Sequence, residues 1–156
     1  MIKITLTKPD DAHLHLRDGN YLKTTVRDAA RQFSRAIIMP NLKPPLTELK
    51  QVYDYKQRIL ENVPAGMDFV PLMTLYLTKT LSPSLIEEAK KVGAIKAIKL
   101  YPAGVTTHAE AGVTNLEEIF PILAIMEKIE LPLLIHGESN DSTVDIFDRE
   151  KYFLQT

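Results

Sequence analysis

The stretch DAHLHLRD, residues 11–18, places two histidines, His13 and His15, one residue apart in a short apolar segment. Alternate side chains of a β-strand point to the same face, so both imidazoles are expected on one side and the intervening apolar side chains on the other. Two imidazoles directed at one point can hold a metal ion. Histidine pairs in strands also occur as ordinary core or surface residues, so the pair by itself leaves both interpretations open.

Signals for strands and helices alternate along the rest of the chain. Besides the strand around His13 and His15, apolar runs and turn residues predict strands at residues 35–40, 67–77, 95–100 and 131–138. Helices are predicted at residues 21–33, 47–60 and 82–93, from Thr114 onward, and in DIFDREKYFLQT, residues 145–156. A polar loop, residues 101–113, follows the fourth strand. This order indicates an α/β fold with parallel strands and helices on the outside.

Capping residues mark the predicted ends of these helices. The predicted N-caps are Thr47, Ser82 followed by Pro83, and Thr114 in a capping box with Glu117, and Gly93 is the predicted C-terminal cap. Pro121 is expected to kink the helix that opens at Thr114, because proline lacks a backbone N–H.

The number of strands suggests a part of a larger architecture. A closed (β/α)8 barrel of the TIM type needs eight units and ~250 residues. Residues 1–156 are therefore predicted to form the N-terminal part of a single barrel domain and to supply about its first five strands. The C-terminal strands are expected to be absent from the chain.

Composition narrows the classes of partner. The chain has 45% hydrophobic and 25% charged residues and a net charge of -1, which is typical of a globular protein and gives no electrostatic footprint for nucleic acid or an anionic membrane. A small molecule is the expected partner. There is no cysteine, so a metal would need imidazole and oxygen ligands. The N-terminal stretch lacks the apolar core of a signal peptide, and a cytoplasmic location is expected.

Polar residues recur where the predicted strands end. In a barrel the carboxyl ends of all strands face one mouth, so these side chains are expected to converge. They are His13, His15, Arg17, Asn41, Lys99 and His136. Each has a simpler alternative as a solvated, loop or core residue. The remaining histidine, His108, is expected to be a solvated loop residue.

Five segments in the same order carry a family resemblance. DAHLHLRDG, IIMPNLKPPLT, PLMTLYLT, IKLYPAGVTT and LPLLIHGE resemble the metal-dependent amidohydrolase superfamily, and specifically its short bacterial class of dihydroorotase. The resemblance runs from about Ile4 to the end of the chain. It implies a zinc-dependent hydrolase of pyrimidine biosynthesis that interconverts N-carbamoyl-L-aspartate and L-dihydroorotate, with release of water on ring closure.

The resemblance also implies roles for individual residues. His13 and His15 would bind one Zn2+, Lys99 would bridge two Zn2+ as an N-carboxylated lysine, and His136 would bind the second. Arg17 and Asn41 would hold the substrate carboxylate. Thr106 and Thr107 match a mobile loop that closes over the substrate.

Two further residues of the family's site have no counterpart in this sequence. They are a histidine from the sixth strand and the general-base aspartate from the eighth, so no catalytic acid-base residue is assigned here, and the isolated chain is expected to be inactive. A homodimer is implied for the full-length protein, and a complementary C-terminal fragment is the other expected partner. Two alternatives stay open: a non-catalytic half-barrel, and an amidohydrolase acting on another cyclic amide or imide.

Overall fold

The computed structural model describes residues 3–155 and has an α/β fold in which every strand pair is parallel. Met1 and Ile2, which begin the N-terminal stretch, and Thr156, the end of the predicted last helix, lie outside the described residues. The strands are β1 (Asp10–Leu14), β2 (Arg35–Ile38), β3 (Val70–Leu72), β4 (Thr74–Tyr76), β5 (Ala97–Leu100) and β6 (Leu133–Ile135). The helices are α1 (Leu22–Gln32), α2 (Leu49–Glu61), α3 (Pro83–Lys91), α4 (Phe120–Lys128) and α5 (Arg149–Phe153). Within residues 3–155, no helix combines the length and the apolar character needed to cross a bilayer.

The single strand predicted at residues 67–77 is two short strands, β3 and β4, separated by Met73. β3 pairs with β2, and β4 pairs with β5, so the strands form two three-stranded sheets, β1-β2-β3 and β4-β5-β6. Backbone hydrogen bonding continues at Met73, between β3 and β4, because the Met73 carbonyl accepts a hydrogen bond from the Lys96 amide at 2.9 Å. The Thr74 hydroxyl also donates to the Ile38 carbonyl at 2.6 Å. Neighbouring strands are staggered, so the first half of this segment pairs with β2 and the second half with β5. Sequence periodicity does not show which strand a residue pairs with.

The predicted starts of α2, α4 and α5 are wrong, and α5 begins at Arg149 instead of residue 145. Asn115, not Thr114, caps the segment before α4, and its side-chain oxygen accepts from the Glu117 amide at 3.0 Å. A short 3-10 helix, Leu116–Ile119, comes first, and Pro121 then lies in the first turn of α4 instead of kinking a longer helix. Proline is tolerated there because the first-turn N–H groups have no partner within the helix.

The start of α2 has shifted in the same way. Glu48 occupies the N-cap position instead of Thr47, and the Gln51 side chain accepts from the Thr47 and Glu48 amides at 2.8 and 3.0 Å. By contrast, Ser82 and Pro83 stand at the predicted start of α3. Gly93 follows α3 with φ +68°, a left-handed conformation that suits glycine after a helix.

The core lies between the strands and the inner faces of the helices. Its wholly buried side chains include residues of both sheets and of α1, α2 and α3, such as Val26, Ile38, Val52, Leu75, Ile86 and Ile98. A second, smaller buried cluster of Tyr76, Tyr101 and Ala109 lies where β4 and β5 end. It anchors the 101–113 loop at the same end of the sheets that carries the predicted site residues.

Candidate active site at the carboxyl ends of the strands

His13 and His15 lie together at the end of β1. Their Nε2 atoms are 3.1 Å apart, so the two rings point to one side as the strand alternation predicts. The ladder with β2 is irregular between Asp11 and Leu14, and the His13 amide donates instead to the Asp11 carboxylate at 2.8 Å. His13 is exposed and His15 is half-buried.

Both imidazoles are held neutral near pH 7. Burial, followed by the positive field of Arg17 and the neighbouring His13, lowers the pKa of His15 to about 4. Burial and the charges of Lys99 and His136 lower the pKa of His13 as well. A neutral imidazole presents the lone pair that a metal ion needs. Two nitrogens on one tetrahedral zinc ion are about 3.3 Å apart, so the His13–His15 separation fits a shared ion.

Lys99 is a buried amine whose charge acts on both His13 and His15. It lies on β5, all of whose residues are buried, and only 2% of its surface is exposed. Burial lowers the pKa of Lys99 to about 8. Its Nζ lies 5.2 Å from the centroid of the Tyr101 ring. A lysine in this state reaches the neutral, nucleophilic amine much more readily than an exposed lysine does.

His136 follows β6, and its charge acts on His13. Its amide donates to the Leu100 carbonyl at 3.0 Å, and its Nε2 lies 2.7 Å from the Glu138 carboxylate. The His136 and Tyr101 rings are 5.9 Å apart. Among residues 3–155, no three His, Asp or Glu side chains come together as a metal site, so His136 does not join the His13–His15 pair in one coordination group. The four-ligand arrangement therefore stays a prediction.

Arg17 has the backbone of a constrained residue. Its φ is +61°, in the left-handed region that side chains other than glycine rarely adopt. Its carbonyl accepts a hydrogen bond from the Tyr55 hydroxyl on α2, and the adjacent Asp18 carboxylate pairs with Arg58 on the same helix at 2.7 Å. These contacts hold the turn after β1 against α2. The Arg17 Nη1 is buried and has no hydrogen-bond partner among residues 3–155.

Asn41 joins the end of β2 to the 101–113 loop. It is buried, and its Nδ2 donates to the Thr107 carbonyl at 2.8 Å. The His108 Nδ1 lies 3.1 Å from the Asn41 carbonyl. His108 is thus half-buried and bonded across 67 residues of sequence, and its prediction as a solvated loop residue is wrong. Thr106 is half-buried and Thr107 exposed, so the loop lies beside Asn41 with a threonine at the surface.

A close backbone approach shapes the far end of this loop. The Val113 amide donates to the Tyr101 carbonyl at 2.8 Å. A Cβ added to Gly112 would lie 2.4 Å from the Tyr101 carbonyl oxygen, so only glycine fits where the two ends of the loop approach each other.

Sequence reasoning missed Tyr101 and Tyr76. The two rings stack with centroids 5.0 Å apart, and both are wholly buried. Burial raises the pKa of Tyr76 to about 12 and also raises that of Tyr101. The alternation of a strand, which puts Tyr101 on the same face as Lys99, was the available signal. This signal is weak because Tyr101 stands at the boundary between the predicted strand 95–100 and the predicted polar loop 101–113.

Comparison with known proteins supports one family. No protein-family model matches the sequence. A dihydroorotase of Ralstonia pickettii is 56% identical over 153 residues, which cover 98% of this chain and 44% of that protein. The crystal structure of dihydroorotase from Campylobacter jejuni superposes with a TM-score of 0.86 at 42% identity, over 95% of this chain and 42% of that one.

A second solved structure gives the same result. Dihydroorotase from Saccharomyces cerevisiae, crystallised in complex with 5-fluoroorotic acid, superposes with a TM-score of 0.84 at 36% identity, over 94% of this chain and 42% of that one. The matched region covers almost the whole of this chain, while the chain spans less than half the length of these relatives. The chain is homologous to the N-terminal portion of dihydroorotases.

Proposed function

We propose that this chain supplies the N-terminal part of the active site of a zinc-dependent cyclic amidohydrolase that interconverts N-carbamoyl-L-aspartate and L-dihydroorotate. One observation carries the proposal: the His13 and His15 imidazoles lie together at the carboxyl end of β1, and the buried Lys99 amine of the parallel strand β5 acts electrostatically on both. The resemblance of five sequence segments and the dihydroorotase relatives support the choice of reaction.

The donor set fits a pair of Zn2+ ions. His13 and His15 would hold one ion and His136 the second, with Lys99 between them. The neutral Lys99 amine would add to carbon dioxide, forming an N–C bond and releasing one proton, and the resulting carbamate anion would bridge two cations. Bound zinc supplies Lewis acidity, which polarises an amide carbonyl and makes water more acidic.

Arg17 and Asn41 would recognise the carboxylate of the substrate. A guanidinium matches the planar carboxylate geometrically, and the buried Nη1 of Arg17 makes no hydrogen bond within the described part of the chain that a substrate would have to replace. Asn41 also holds the Thr107 carbonyl, which would couple substrate binding to closure of the loop that carries Thr106 and Thr107. The carboxylic acid bound to the yeast relative is consistent with this role.

The proposed architecture is the first five strands of a TIM-type barrel. The stagger that splits β3 from β4 supports it, because closing a sheet into a barrel requires such a shift between neighbouring strands. The proton-transferring aspartate and the remaining zinc ligand implied by the resemblance would come from a further part of the barrel. We therefore expect no turnover from residues 1–156 alone, since general acid-base assistance is typically worth ~10²- to 10⁴-fold.

A chimera tests the function directly. This chain replaces the matching segment of the Ralstonia pickettii relative, and hydrolysis of L-dihydroorotate is followed by absorbance. We expect turnover, loss of turnover and of bound zinc in Lys99→Ala, and a KM raised roughly 10-fold or more in Arg17→Ala, because a hydrogen bond to a charged group is lost. Lys91→Ala, an exposed position on α3, is the matched control.

The same chimera separates the alternatives. A folded, zinc-loaded chimera with no activity would favour the non-catalytic half-barrel. Faster hydrolysis of a cyclic amide or imide that lacks a carboxylate would favour another amidohydrolase. Either result contradicts the proposed reaction.

A further inference from the structure

A carboxylate outside the predicted site residues lies against His136. The Glu138 Oε1 is 2.7 Å from the His136 Nε2, which is hydrogen-bond distance. Both side chains are largely buried, with 22% of the His136 side chain and 26% of the Glu138 side chain exposed. The spacing is that of alternate residues in a strand, which point to the same side, so the sequence HGE after β6 suits this pairing.

Backbone hydrogen bonds hold both members of the pair. The His136 amide donates to the Leu100 carbonyl at 3.0 Å, which extends the contact between β5 and β6 by one bond. Ser139, the residue after Glu138, donates its amide to the Arg149 carbonyl at 3.0 Å, at the start of α5. The carboxylate is therefore carried by a restrained backbone, and the pair avoids much of the ordering cost that weakens ion pairs between mobile side chains.

The other ring nitrogen of His136, Nδ1, makes no hydrogen bond with any residue between 3 and 155. The His136 ring lies 5.9 Å from the Tyr101 ring, and the Lys99 Nζ lies 5.2 Å from the centroid of that same Tyr101 ring. In the ladder, Lys99 pairs with Leu134, two residues before His136. His136 and the Lys99 amine therefore belong to one face of the sheet.

The carboxylate decides which nitrogen of the ring can bind a metal. An ionised carboxylate only accepts hydrogen bonds, so the nitrogen that contacts Glu138 carries the proton. In a neutral imidazole the other nitrogen then holds the lone pair, and a metal ion binds at that nitrogen. Carboxylates in this position fix the orientation of a metal-binding histidine, and their loss typically lowers the affinity for the metal.

We propose that Glu138 is a positioning residue for His136: it accepts the Nε2 proton and thereby keeps Nδ1 available to the second Zn2+. This inference rests on the proposed function, which makes His136 a zinc ligand, and it adds a residue outside the predicted set. Glu138 acts through the imidazole and is not itself a zinc ligand in this arrangement.

Stepwise addition of zinc to the 156-residue chain tests the inference without relying on turnover. The histidine rings are labelled with 15N, and long-range 1H–15N spectra in bicarbonate buffer show which nitrogen of His136 bears a proton and which one zinc shifts. The His136 signals are identified by their absence in His136→Gln. We expect Nδ1 to shift and Nε2 to keep its proton.

Substitution of Glu138 should change the amount of zinc that this shift requires. We expect Glu138→Ala to need about 10- to 100-fold more zinc for the same Nδ1 shift. Glu138→Gln should recover most of the loss, because its amide oxygen can still accept from Nε2.

Glu117→Ala is the matched control. Glu117 is an exposed carboxylate that lines the same cavity of about 420 Å³ as Glu138, so its removal changes the local charge and leaves the partner of His136 in place. We expect the zinc requirement of this variant to stay close to that of the unsubstituted chain, because exposed charges interact weakly.

The outcomes separate this inference from the proposed function. A zinc-dependent shift of Nε2 with loss of its proton means that the metal displaces Glu138, and it overturns the inference while His136 remains a zinc ligand. Equal effects of Glu138→Ala and Glu117→Ala also overturn it, because they report charge alone. No response of either His136 nitrogen to zinc contradicts the metal site of the proposed function, and the inference falls with it. The choice between Nδ1 and Nε2 needs only the unsubstituted chain, so it stands even where a variant fails to fold.

Discussion

Lys99 is a residue whose burial costs stability. Burial lowers the pKa of Lys99 from its ordinary value of 10.5 to about 8 in the folded protein. The unfolded chain therefore holds the Lys99 proton more tightly than the folded protein does. Below pH 8 the folded protein bears the full cost, about 3 kcal/mol for such a shift. Between pH 8 and 10.5 the unfolded state binds the extra proton, so this contribution to stability rises with pH.

Lys99→Met should therefore stabilise the metal-free chain. We expect its free energy of unfolding to exceed that of the parent by about 1–3 kcal/mol at pH 7, with the difference shrinking toward pH 10. Urea denaturation in carbonate-free buffer at several pH values measures this. Lys91→Met, at an exposed position on α3, should change stability by no more than about 0.5 kcal/mol. A destabilised Lys99→Met variant would mean that the amine has a stabilising partner.

At the scale of elements, α2 holds the turn that carries Arg17. The wholly buried Tyr55 donates its hydroxyl to the Arg17 carbonyl, and Arg58 pairs with Asp18 one turn further along the helix. The left-handed φ of Arg17 persists because these contacts from a distant helix restrain it. The position of the guanidinium thus depends on the docking of α2.

Tyr55→Phe tests this dependence. Removing the hydroxyl leaves the Arg17 carbonyl without its donor, and we expect a loss of about 1–3 kcal/mol in the free energy of unfolding. Tyr53→Phe is the control on the same helix, since Tyr53 is 47% exposed and should tolerate the change. Chemical denaturation of both variants gives the comparison. Equal effects of the two substitutions would show that the bond to Arg17 contributes nothing specific.

At the scale of the whole molecule, the outer strands carry unpaired edges. Within residues 3–155, β1 pairs only with β2 and β6 only with β5. Free edges of parallel sheets are sites for pairing with another chain. Ile135, at the end of β6, is 50% exposed beside such an edge.

We expect the isolated chain to self-associate and Ile135→Lys to weaken the association, because a charge on an edge strand opposes pairing. Sedimentation velocity at several concentrations measures the effect. Val92→Lys adds the same charge at a similarly exposed position, 54%, after α3 and away from either edge. A monomeric parent chain, or equal effects of both substitutions, would contradict a role for the β6 edge.

Much of the fold was predictable because its signals are local. The predicted helix at residues 21–33 matches α1 within one residue at each end, and Ser82 with Pro83 marked the start of α3. The break at Met73 was not predictable, because it depends on which neighbours β3 and β4 find. The first-turn position of Pro121 was missed because local spacing does not distinguish a kinked helix from one that starts late.

The sequence by itself determined the alternation of strands and helices and the polar residues at the strand ends, because side-chain periodicity, capping and turn residues act over a few positions. It also placed His13 and His15 on one face. Only the tertiary structure decided that His108 bonds to Asn41, that burial lowers the pKa of Lys99, and that the Tyr101 hydroxyl is buried without a hydrogen-bond partner among residues 3–155. Each of these properties depends on desolvation or contact between segments far apart in the chain, and no local pattern carries that information.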